Sequence, residues 1–106
     1  MNKAEEVYQQ LVVALTDGRR IAAGNLFGKP CLKVAGKAFV AQHRDAVVFK
    51  LPSPHREEAL AFDGAALWDP SGKGKPMKEW IAVPGSAEAR FPDLAVAALE
   101  FVGGAS

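Results

Sequence analysis

Cysteine, histidine and tyrosine are scarce in this chain of 106 residues, with one, two and one copies respectively. A single cysteine, Cys31, excludes an internal disulfide, and a reducing cytoplasm is the natural setting for an unpaired thiol. Together with His43 and His55 it makes too sparse a set for a metal site, which wants at least three clustered ligands, and no cofactor is expected. No apolar run approaches the roughly 18 residues needed to span a membrane. The opening Met1-Asn2-Lys3-Ala4-Glu5-Glu6 lacks the hydrophobic segment of a signal peptide. A cytoplasmic protein without a membrane partner is therefore expected. The net charge is only +1, short of the basic excess typical of a dedicated nucleic-acid binder. What is present, 49% hydrophobic and 24% charged residues without repeats or linkers, is ordinary for one globular domain over 1–106.

Catalytic chemistry is equally thin. Cys31 with His43 or His55 would supply a thiol and a base, but Cys31 falls in a strand-like segment, where an inert buried thiol is the ordinary case. His43 falls at a turn and His55 in a helical first turn, positions expected to face water. The adjacent acids Glu5-Glu6 and Glu57-Glu58 diverge around a helix axis and suit the positive end of its dipole better than acid–base work. Gly72-Lys73-Gly74-Lys75 lacks the spacing, the following hydroxyl and the following helix of a phosphate-binding P-loop. As a basic hairpin loop it still offers amides and two ammonium groups to a phosphate. No enzymatic activity is expected.

The charge is unevenly placed. Residues 19–50 hold Arg19, Arg20, Lys29, Lys33, Lys37, Arg44 and Lys50 against Asp45 alone, while the segments on either side are net acidic. Such a stretch presents either a positive face to an anionic partner or simply the solvated side of a half-buried sheet.

Hydrophobic periodicity organises the chain. Val7, Leu11, Val12 and Leu15 recur at helical spacing and predict a helix over 3–16, stopped at Gly18 after Asp17. From Ile21 to Leu51 the pattern turns to three or four antiparallel strands, with tight turns at Ala35-Gly36 and Arg44-Asp45. Leu26-Phe27 opens this run. Val47, Phe49 and Leu51 share one face and Val48 and Lys50 the other, while Leu32 and Val34 oppose Cys31 and Lys33. One face should lie under helices and the other should be wet and lysine-bearing. Ser53-Pro54 predicts a helix with Ser53 as N-cap, inward Ala59, Leu60 and Phe62, and an end at Asp63-Gly64. Strands follow at 65–68 and 77–83, and Pro84-Gly85 breaks the second. A closing helix, with Ser86 as candidate cap, presents Phe91, Leu94, Ala95, Ala98, Leu99 and Val102, and Pro92 either kinks it or stands in the first turn of its longer part. The expected fold is α+β in two layers: an antiparallel sheet with three helices on one face, in the order helix, three or four strands, helix, two strands, helix. Trp68 and Trp80 should pack near each other as hairpin glue, as a stacking platform for bases, or as the wall of a small pocket with Cys31.

Four segments together resemble a known family. They are Asn25-Leu26-Phe27-Gly28-Lys29-Pro30, then Cys31-Leu32-Lys33-Val34-Ala35-Gly36-Lys37-Ala38-Phe39, then Val48-Phe49-Lys50-Leu51, then Pro76-Met77-Lys78-Glu79-Trp80-Ile81-Ala82-Val83-Pro84. Their order and spacing resemble the TfoX N-terminal-domain-like family, with leucine at position 26 where that family commonly has methionine. The resemblance runs from about Arg20 to Val102. It implies a secretion-chaperone-like two-layer fold and a bacterial origin, and it brings no catalytic residues. In TfoX, a regulator of natural competence, a second domain follows, and the present chain is expected to stand alone. Related MmcQ/YjbR-like proteins are described as DNA-binding by analogy. The expected function is a non-enzymatic regulatory or protein-interaction module, with a homodimer as one form of it. The alternatives are nucleic-acid binding through Lys33, Lys37, Lys50, Lys73 and Lys75, and small-ligand binding at Cys31, Trp68 and Trp80.

Overall fold

The computed structural model describes residues 2–16, 21–74 and 76–103. Helix α1 spans Lys3–Thr16 and buries Ala4, Val7, Tyr8, Leu11 and Leu15. Its start is fixed by a reciprocal cap. The Asn2 side-chain oxygen accepts from the Glu5 N–H at 2.9 Å, and the Glu5 carboxylate accepts from the Asn2 N–H at 2.8 Å. Glu5 is thus a capping partner as well as a dipole charge. The stop expected at Asp17-Gly18 lies outside the described residues.

Four strands then run as a meander: β1 (Ile21–Leu26), β2 (Lys29–Val34), β3 (Lys37–His43) and β4 (Ala46–Lys50). Two-residue turns join them, and Phe27 belongs to the first turn rather than to a strand. Phe27-Gly28 and Ala35-Gly36 each place both residues at positive φ, 52° and 77° in one and 51° and 80° in the other. That is the turn whose twist matches the flanking strands, and it is why Gly occupies the second position. Ala35 bears the cost of a left-handed backbone without glycine's freedom. Ala35→Asn is accordingly expected to raise stability by about 0.5–1 kcal/mol, read as a higher urea midpoint with unchanged slope.

The β2–β3 pair is irregular. Cys31 faces Ala41, Leu32 faces Val40, and Lys33 faces Ala38, so β3 carries one residue more than β2. This bulge lets Phe39 and Val40 both turn into the helix-side core, while Ala38 and Ala41 turn to the opposite face.

Helix α2 (His55–Leu60) follows β4. Ser53 does not cap it: the backbone cap is Pro54, and the Ser53 hydroxyl donates instead to the Glu57 carboxylate. The helix ends at Leu60, before Asp63-Gly64, and Leu60 itself is exposed while Ala59 and Phe62 pack inward. Strands β5 (Ala66–Trp68) and β6 (Met77–Pro84) complete a six-stranded antiparallel sheet in the order β1-β2-β3-β4-β6-β5. A 3-10 turn, Gly85–Arg90, leads into α3 (Phe91–Gly103), so Ser86 lies inside the turn and caps nothing. Pro92 stands in the first turn of α3, where its missing N–H is harmless.

All three helices lie on one sheet face. There Leu32, Phe39, Val40, Val47, Phe49, Leu51, Ile81 and Val83 meet side chains of α1, α2 and α3. Phe49 and Phe91 pack edge to face with centroids 5.4 Å apart, and both are fully buried. Each such side chain contributes about 1.5–3 kcal/mol by leaving water. The opposite face is not the wet surface expected of it. Cys31, Ala41, Val48, Trp68 and Trp80 form a second, smaller apolar core there, with Leu26, Ala38, Met77 and Ala82 packed around it. No helix among the described residues is long and apolar enough to cross a membrane.

Candidate functional site

The second core forms because the sheet curls. Phe27 sits in the turn after β1, at one end of the strand order, yet its ring lies 6.0 Å from that of Trp68 on β5, at the other end. Small side chains on the central strands, Cys31, Ala41 and Val48, line the hollow, and Trp68 and Trp80 fill it with ring centroids 5.5 Å apart. The structure therefore brings the three candidate pocket residues together, but as a packed cluster in place of a cleft. Cys31 is 0% exposed. Burial pushes its thiol pKa up, with the Lys33 ammonium acting in the other direction. That is the environment of an inert cysteine.

His43 closes this cluster, and neither histidine simply faces water. The Trp68 indole N–H donates to His43 Nδ1 at 2.9 Å. A nitrogen that accepts carries no proton, so the bond requires neutral His43. Partial burial holds the imidazole pKa below its ordinary value, and the Lys29 and Arg44 charges act in the same direction. His55 is half-buried, and its Nδ1 has no hydrogen-bond partner among the described residues.

The sign of the pH effect follows. His43's folded pKa lies below its unfolded one, so its contribution to stability is complete above about 6.5 and is lost as pH falls through the folded value. Trp68 fluorescence should show a transition centred below pH 6.5. His43→Gln, whose amide oxygen still accepts, should abolish it. A titration that is flat in the wild type counts against the bond.

The candidate lysines do not form one patch. By strand alternation Lys29 and Lys33 share the face of Cys31, and Lys50 shares that of Val48, so these three border the small core. Lys37 turns to the other side and lines a cleft of about 200 Å³ with Lys50, Glu79, Phe101 and Val102. Lys50 also borders a cleft of about 460 Å³ with Arg56, Met77, Lys78, Glu79 and Trp80, and its ammonium lies 4.0 Å from the Glu79 carboxylate. Arg56 and Lys78 are charges that sequence reasoning passed over. They fall outside the basic segment: the β4–β6 pairing brings Lys78 beside Lys50, and Arg56 comes from α2, where its Nε donates to the Leu51 carbonyl at 3.3 Å.

Lys73 is exposed at the tip of the loop between β5 and β6, and Lys75 lies outside the described residues. The amides of both loop glycines are not open to a phosphate. Gly72 N–H and Gly74 N–H both donate to the Asp69 carboxylate, at 3.1 and 2.8 Å, and the Ser71 hydroxyl donates to it at 2.8 Å. An internal carboxylate thus occupies the place offered to an external anion. Among the described residues no cluster of three or more His, Cys, Asp or Glu is arranged to hold a metal ion. Compared with known proteins, the chain matches no family model, no curated protein and no solved structure.

Proposed function

We propose that the chain is a relative of the TfoX N-terminal-domain-like family that acts in the cytoplasm as a non-enzymatic module recognising a protein partner. One observation carries the reading. The thiol, the two indoles and His43 are turned on one another in the small core, while Lys29, Lys33 and Lys50 stand around that core on the same face. The groups able to do chemistry hold the curl together, and the groups left facing outward are cations suited to an acidic surface. Affinity capture with the intact chain tests this. A partner recovered by the wild type and lost with Lys33→Glu and Lys50→Glu supports it, and a partner indifferent to both overturns the assignment to this face.

Nucleic acid is the second reading, favoured by the convergence of Lys50, Arg56 and Lys78 on one cleft with Lys37 close by. Fluorescence anisotropy of labelled single-stranded and duplex DNA, titrated at several salt concentrations, separates the two. Binding whose log–log salt slope falls by about one in Lys50→Ala favours nucleic acid. No binding at low salt removes that reading and leaves the protein partner.

A further inference from the structure

Strand β1 lies at the end of the sheet and, among the described residues, pairs only with β2. Every second residue of it therefore turns its backbone N–H and C=O outward, away from β2. Among the described residues no other backbone hydrogen bond reaches this strand. Its sequence, Ile21-Ala22-Ala23-Gly24-Asn25-Leu26, contains no charged residue and no proline, the usual devices that keep an edge from pairing. The opposite edge, β5, has only three residues.

Among the described residues, charge reaches this edge from the neighbouring strand. Lys33 of β2 lays its stem across Gly24, where the absence of a side chain leaves room: a Cβ there would lie 3.1 Å from the lysine Cε and 3.6 Å from its Nζ. The ammonium thus stands over β1 rather than over its own strand. Lys29 lies on the same face toward the other end of β2, opposite Leu26. Among the described residues neither lysine has an ion-pair partner. A strand added outside β1 would run about 4.8 Å away, with every second side chain on the lysine face. The other face of β1 carries Ile21 and Ala23, on the helix side.

We propose that β1 is a docking edge for an extended acidic peptide, which joins the sheet as a seventh strand with carboxylates at alternate positions facing Lys33 and Lys29 and small or apolar residues between them. This rests on the protein-partner reading above and names the chemistry of that partner. A second copy of the chain fits less well. Antiparallel pairing of two β1 strands about a two-fold axis through the sheet brings both Lys33 ammonium groups onto one face across the joint, where like charges repel.

The test is fluorescence anisotropy with a labelled peptide of about eight residues alternating glutamate with valine. The intact chain should bind it, and methylation of alternate peptide amides should abolish binding because the ladder bonds are then lost. Lys33→Glu should weaken binding roughly tenfold and improve binding of the matching lysine–valine peptide. Binding that ignores both the amide methylation and the charge reversal overturns the proposal. So does a chain that is dimeric by light scattering and dissociates when β1 is altered, or one that binds single-stranded DNA in place of the peptide. If the peptide fails to bind while affinity capture still recovers a protein partner sensitive to Lys50→Glu, the edge assignment falls and the wider reading stands.

Discussion

Trp68→Ala is expected to cost about 3–5 kcal/mol, a large share of the roughly 5–15 kcal/mol that holds a domain of this size together. The indole is 3% exposed and touches the elements that make the curl: Phe27 from the β1–β2 turn, Trp80 from β6 and His43 from β3. Removing it leaves a void over Cys31, Ala41 and Val48, side chains too small to collapse into the space. It also strands His43 Nδ1 without its donor. Trp68→Phe separates the two effects. A six-membered ring remains, the hydrogen bond and the pyrrole part of the indole are lost, and the cost should be about 1–2 kcal/mol, well below that of the alanine variant. Urea unfolding followed by circular dichroism measures both, and thiol labelling adds a local readout. Cys31 should be unreactive in the native wild type and reactive in Trp68→Ala. A loss below about 1 kcal/mol in the alanine variant would show that the curl is held from the helix side alone.

Gly85→Ala is expected to cost about 1–3 kcal/mol for a reason that has nothing to do with backbone freedom. Gly85 is buried at the point where the 3-10 turn meets the start of α1. A Cβ there would sit 2.9 Å from the Ala4 backbone nitrogen and 3.0 Å from the Lys3 Cβ. A backbone atom in a capped first turn cannot swing aside as a side-chain tip does, so helix and turn must move apart. Ser86→Ala, one residue on, is the matched control. Ser86 is exposed and makes no cap, and its loss should stay within about 0.5 kcal/mol. Thermal unfolding ranks the pair, and hydrogen exchange in the first turn of α1 should rise only in Gly85→Ala. Equal effects in the two variants would point to a role for Ser86 that its geometry does not predict.

Much of the fold was legible where one local signal sufficed. The spacing of Val7, Leu11 and Leu15 marks α1, and the alternation through Val47, Phe49 and Leu51 assigns β4 its helix-side face. The caps were harder. Ser53 and Ser86 have the right chemistry in the right places, yet one hydroxyl bonds a neighbouring carboxylate and the other sits inside a 3-10 turn. Asn2, unremarked in the sequence, is the residue that caps. The small core was the least legible feature. Nothing local says that Phe27 and Trp68, 41 positions apart, meet by bending the sheet between them. Cys31, Trp68 and Trp80 have the chemistry of a small pocket and do lie together, but what joins them is packing. The lysines show the same limit. Their clustering along the chain is real, while strand alternation sends Lys37 to the helix side and leaves Lys33 beside the small core.

The bulge in β3 sets which side of the sheet the rest of that strand serves. Up to Phe39, even-numbered positions face the small core; from Val40 onward the odd-numbered ones do, and His43 is among these. Were the same residues to alternate regularly, with no bulge, the parity would not change: the imidazole would face the helix side, the indole N–H would lose its acceptor, and Ala41 would leave the hollow it lines. The acid sensitivity predicted for Trp68 thus depends on Phe39 and Val40 facing the helices in succession, a break in alternation that sets the side on which His43 emerges.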